Sequence, residues 1–120
     1  MGYSTEKSKQ LFQQAQRCLV GGLSSSFHKA SWSDYPIYMD HGAGSKVFDV
    51  DGNSYIDFLN AFGPNILGYV HPNVTKAVEA QIYKATLMAA PNEDLVKLAG
   101  KLVDIIPCAD KVSAFMSSGS

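Results

Sequence analysis

The 120-residue chain has 10 Lys and Arg against 11 Asp and Glu, a formal net charge of -1, and is 46% hydrophobic and 18% charged. That balance argues against nucleic acid or an anionic membrane surface as a partner, because the cations are few and spread out. No apolar run approaches the ~18 residues of a membrane span, and the size suits one domain or a piece of a larger one.

The N-terminal "MGYSTEKSKQ" has no apolar core for a signal peptide, and Glu6 stands where a myristoylation pattern wants Ser or Thr. Cys18 and Cys108, far apart in sequence, read as reduced, partly buried thiols, and the expected compartment is the cytoplasm. From Ser4 to Val20, the apolar Leu11, Phe12, Ala15, Cys18 and Leu19 make one helical stripe. Ser4 or Thr5 can cap that helix, and Gly21-Gly22 ends it. "LSSSFHKASWSDYP" (Leu23 to Pro36) has no period and reads as a long loop of the kind that often serves function.

Strands are expected at Ile37 to Asp40 and Lys46 to Val50. Asp51-Gly52 is a strong hairpin signal before Tyr55 to Phe58. "NAFGPNILGYVHP" turns sharply at Gly63-Pro64 and at Gly68. Pro72 starts a helix carrying Val74, Ala77, Val78, Ile82 and Ala85. Asn92 caps another, whose buried face is expected from Leu95, Leu98, Ala99, Leu102, Val103 and Ile106 before Pro107. "KVSAFM" reads as a strand buried in a parallel sheet. No repeat and no linker divides the chain.

His28, His41, His71 and the two cysteines have no zinc-ligand spacing, so no metal is expected; His41 reads as a turn residue and His71 as a helix-entry residue. "HGAGSKV" lacks the phosphate-loop spacing and reads as a hairpin turn. No nucleophile elbow is present. Ser117-Ser118-Gly119-Ser120 has two readings from the residues alone. One is a flexible Ser/Gly tail; the other is a strand-to-helix turn whose amides and hydroxyls hold a phosphate.

"FQQAQRCLVGGLSSS", "VFDVDGNSYIDFLNAFGPNILGYVHPNV", "APNEDLVKLAGKLVDIIP" and "KVSAFMSSGS" together resemble the opening of the class III aminotransferases. Within that family they are closest in feel to the glutamate-1-semialdehyde 2,1-aminomutases. The resemblance runs from about Leu11 onward, in the same order and with closely matching spacing. It implies an α/β fold of the aspartate-aminotransferase type (fold type I). Residues 1–70 would supply the N-terminal helix, an active-site loop and part of a small domain with an antiparallel sheet; residues 71–120 would begin the large three-layer domain that binds the cofactor.

The cofactor implied is pyridoxal 5'-phosphate, with its phosphate at Ser118, Gly119 and Ser120. The reaction implied moves an amino group from an amine or amino acid to a keto acid or aldehyde through a lysine-bound aldimine. No lysine here matches the catalytic position, so the resemblance implies no catalytic residue in this chain, and a chain that is the N-terminal part of a longer protein. It implies a homodimer, with Lys84 to Glu93 near the interface. Substrate-binding residues carried over are Ser25, His28 and Phe62. The aminomutases have arginine where His28 stands and tryptophan where Phe62 stands. Arginine offers a permanent two-pronged contact to a carboxylate and histidine does not, so that clamp is weakened or moved to the neighbouring Lys29. Three readings follow: an aminotransferase, the aminomutase itself, or an inactive fragment with a folding or assembly role.

Overall fold

The computed structural model describes residues 2–29 and 33–113. It divides into two compact units, Met1–Ala77 and Val78–Ser120. The sequence shows no linker there because the division falls inside a helix.

In the first unit, α1 spans Glu6–Ala15. It is shorter than the stripe predicts. Past Ala15 the chain continues in tight turns, with the Leu19 amide donating to the Ala15 carbonyl at 2.7 Å, and then reverses at Gly21 and Gly22 with φ of 65° and 73°. Gly22 lies so close to the Phe12 ring that a Cβ would come within 2.6 Å of it. Only glycine meets both the close approach and the left-handed backbone. Cys18 and Cys108 are both free and exposed, which corrects the expectation of partial burial.

Strands β1 (Met39–Ala43), β2 (Lys46–Asp49) and β3 (Ser54–Ile56) form an antiparallel sheet in the order β1-β2-β3. The Ala43↔Lys46 pair closes a two-residue turn at Gly44-Ser45, as "HGAGSKV" predicts. β1 starts later than expected: the Tyr38 carbonyl still accepts from the Val50 amide at 3.0 Å, but its amide turns to the Ser8 hydroxyl at 3.2 Å, and the register shifts between Met39 and His41. His41 is therefore a strand residue and not a turn residue. Its ring stacks on the cross-strand Phe48 at 4.5 Å, and its Nδ1 meets the Asp40 carboxylate at 2.8 Å.

The Asp49–Tyr55 hairpin docks α1 through polar contacts. Asp51 accepts from the Lys7 and Ser8 amides at 2.9 and 3.0 Å, placing an anion at the positive end of α1. Asn53 donates to the Ser4 carbonyl at 2.7 Å. Thr5 flanks α1, but its hydroxyl shares a hydrogen bond with Tyr35 at 2.9 Å and makes no cap.

Asp49, only 2% exposed, accepts from the Asp51 and Asn53 amides, the Asn53 side chain and the Tyr55 hydroxyl, at 2.7–3.0 Å. Burial works to raise its pKa, but these hydrogen bonds outweigh burial and hold it below the ordinary 3.8. Burial, then the bond to Asp49 and that residue's charge, push Tyr55 up to about 12. A carboxyl lowered on folding stabilises above its unfolded pKa and loses that contribution as pH falls through the folded value. Asp49→Ala in the complete protein would leave the Tyr55 and Asn53 donors unpaired. The expected cost is about 2–3 kcal/mol, read from the denaturant midpoint at pH 7, with the difference from the parent shrinking below pH 4. A midpoint unchanged at pH 7 would show that the hub holds nothing.

α2 spans Pro72–Ile82, starting at the expected proline, with His71 just ahead of it. In the second unit α3 spans Glu93–Ile105, and the Asn92 side chain caps it by accepting from the Leu95 amide at 2.9 Å. Its expected buried face is not buried. Leu98 is 52% and Leu95 44% exposed, and an apolar groove of about 490 Å³ runs beside Leu95, Leu98, Ala99 and Leu102. Among the described residues no hydrophobic side chain is fully buried. Lys111 to Ser113 carry no strand, and the rest of the expected "KVSAFM" strand, with the turn at Ser117 to Ser120, lies outside the described residues. No helix is long and apolar enough to cross a membrane among the described residues.

Candidate functional site

The loop after α1 carries Ser25 and His28. Ser25 opens a single 3-10 turn, Ser26–His28, and its hydroxyl accepts from the Phe27 amide at 3.3 Å. His28 is exposed, with Nδ1 3.1 Å from the Ser24 hydroxyl. The two residues open on different clefts. Ser25, with Lys29, Ser33 and Tyr35, lines one of about 610 Å³. His28, with Ser24 and Met39, lines one of about 220 Å³. Among the described residues no cluster of His, Cys, Asp or Glu could hold a metal ion.

Phe62 sits on a second loop, in the turn Asn60–Phe62. The two loops meet where Phe27 packs edge-on against Phe62, with ring centroids 5.7 Å apart and planes at 67°. Phe62 thus meets one of the two residues between Ser25 and His28. The sequence singled out Phe62 and passed over Phe27, whose only signal was an apolar residue in a serine-rich loop.

The backbone around Phe62 is unusual. Asn60, Ala61 and Phe62 have φ of 49°, 52° and 66°, and Gly63 follows at 111°. Each left-handed residue other than glycine costs of order 1 kcal/mol or more, so neighbouring contacts must hold the run in place. Beside the backbone bonds from the Phe62 amide to Leu59 and from the Gly63 amide to Asn60, Asp57 supplies those at the start of the run. Its Oδ1 accepts from the Leu59 and Asn60 amides at 2.7 and 3.2 Å, and its Oδ2 accepts from the Tyr69 hydroxyl at 2.7 Å. The Tyr69 bond, then the Leu59 amide, holds Asp57 below the usual carboxylate range, and the same bond raises Tyr69.

Tyr69 is in turn fixed to the hairpin tip. Its backbone pairs with Gly44 in both directions, at 2.8 and 3.1 Å. Its ring lies over Gly42, where any Cβ would collide with it. Sequence reading placed Asp57 on a strand pattern and gave Tyr69 no role, because the two meet only when the loop closes back on the hairpin.

The comparisons with known proteins agree with one another. Residues 28–120 match the family described as Aminotransferase class-III. A glutamate-1-semialdehyde 2,1-aminomutase of Nitratidesulfovibrio vulgaris is 40% identical over 90% of this chain and 26% of its own length. Among solved structures, an omega-transaminase from Sphaerobacter thermophilus matches with a TM-score of 0.80 at 30% identity, over 87% of this chain and 23% of its own. A transaminase with PLP bound matches at 0.79 and 36% identity, over 84% of this chain and 23% of its own. The chain spans about a quarter of the length of the curated relatives it matches.

Proposed function

Because this chain belongs to the class-III aminotransferase family, we propose that the protein containing it is a pyridoxal-phosphate-dependent aminotransferase. The reading rests chiefly on the family match over residues 28–120, and the meeting of Phe27 with Phe62 supports it by joining two loops that carry expected substrate contacts. Residues 1–70 would contribute to the small domain and 71–120 would begin the large one. We place the enzyme in the cytoplasm, where exposed free thiols such as Cys18 and Cys108 persist reduced, and expect it to work as a homodimer.

Pyridoxal phosphate, when bound, supplies the electron sink for amino transfer. Ser118, Gly119 and Ser120 fit its phosphate by the chemistry of their donors: backbone amides, two hydroxyls and no side-chain anion. Ser25 is assigned to hold the substrate by hydrogen bonding, His28 to meet its polar end, and Phe62 to present an apolar wall. The lysine that moves the proton is placed in the chain beyond residue 120.

A second reading has its own support, since the curated relatives at about 40% identity are named aminomutases. His28→Arg separates the two. If His28 has replaced a carboxylate clamp, restoring the guanidinium in the complete protein is expected to raise kcat/KM on glutamate 1-semialdehyde by ~10- to 150-fold, the equivalent of one charge-assisted hydrogen bond. Simple amine donors should gain nothing. Efficient turnover of the semialdehyde by the parent, with no gain from His28→Arg, would make the aminomutase the leading reading.

A further inference from the structure

We propose that Asp57 and Tyr69 form a positioning pair for substrate selection: their hydrogen bond holds the left-handed run Asn60–Gly63, and through it sets where Phe62 stands. The inference rests on the assignment of Phe62 to the substrate site. Three observations carry it. Four consecutive residues hold positive φ, a conformation that persists only where surrounding contacts impose it. One carboxylate holds its start here, Oδ1 taking the Leu59 amide just ahead of the run and the Asn60 amide that opens it, and Oδ2 the Tyr69 hydroxyl. The far end of that grip is anchored by the Tyr69–Gly44 backbone pair, by a ring seated on Gly42, and by Gly68, whose Cβ would come within 2.6 Å of the Gly44 carbonyl oxygen.

Phe62 is 69% exposed and its described aromatic contact is Phe27, so its own packing does little to fix it. The backbone beneath it does that work. Neither Asp57 nor Tyr69 is expected to touch substrate. Their effect travels through Phe62, and so it should appear as a change in which amine is preferred.

The test uses the complete protein with Tyr69→Phe, which removes one hydroxyl, and Asp57→Asn, which keeps the shape and one acceptor. Two readouts are taken on variants whose thermal midpoint and cofactor absorbance show them folded and loaded. The first is the fluorine resonance of 4-fluorophenylalanine placed at position 62. Both variants should move it in the same direction, while Tyr3→Phe, a change elsewhere in the same unit, should leave it in place.

The second readout is the ratio of kcat/KM for a bulky aromatic amine to that for a small aliphatic amine. Tyr69→Phe should change this ratio about tenfold, and should change it no further in a Phe62→Ala background. An unmoved resonance with an unchanged ratio overturns the proposal. So does an equal loss for both amines, or a change that persists without Phe62. If neither variant folds, the pair is structural only and the proposal fails. If the parent transfers no amino group, the functional assignment fails, and the resonance still judges the pair.

Discussion

Replacing Gly119 by Val in the complete protein is expected to weaken binding of pyridoxal phosphate by ~10- to 150-fold. The reasoning is local chemistry. A phosphate held by backbone amides needs the chain to approach to hydrogen-bond distance, and a branched side chain at the glycine pushes the anion away. Each hydrogen bond to a charged group is worth about 1.5–3 kcal/mol, so losing one gives that range. Ser120→Ala removes a hydroxyl and leaves the amides, so its loss should sit at the lower end. Titration of the cofactor into the apoprotein, followed by visible absorbance, gives both constants. A folded Gly119→Val protein that binds the cofactor as tightly as the parent would remove the phosphate from this turn.

The 120-residue chain by itself is expected to show no cooperative unfolding transition and to self-associate. Ordering a backbone costs roughly 1–2 kcal/mol per residue, and full burial of a large aliphatic or aromatic side chain returns roughly 1.5–3. The described residues collect little of that return: no hydrophobic side chain is fully buried, and Leu95, Val96, Leu98 and Ile105 on α3 all remain exposed. Polar contacts such as the Asp49 hub organise the first unit without supplying a core. Exposed apolar faces of this kind associate. Urea unfolding followed by circular dichroism, with sedimentation velocity on the same sample, tests both parts. A monomer with a single sigmoidal transition would show that the polar network suffices.

Features decided by near neighbours in the chain were legible in advance. The Asn92 cap, the start of α2 at Pro72, the turn at Gly44-Ser45 and the hairpin through Gly52 each depend on residues within a few positions, so the sequence carries them whatever the rest of the fold does. The class III resemblance was legible in the same way, because its motifs are runs of consecutive residues.

The errors have one cause as well. Where strands and helices stop is coupled to partners outside them: ahead of β1 the Tyr38 amide turns to Ser8, and beyond α1 the chain folds back to set Gly22 against Phe12. Amphipathic spacing announced a buried face on α3, yet periodicity states which side chains share a face and not what covers them. Asp51 looked like a turn residue, and only the fold gave it α1 to hold, through amides 43 and 44 residues away. Asp57 met Tyr69, and Phe27 met Phe62, for the same reason. A hydrogen bond or ring contact between remote residues has no local signature, because it forms only after the backbone has brought the two groups within a few ångströms. The sequence by itself therefore determined the family, the Asn92 cap and the hairpin turns, whereas the tertiary structure decided which carboxylates serve as structural anchors and which loops meet.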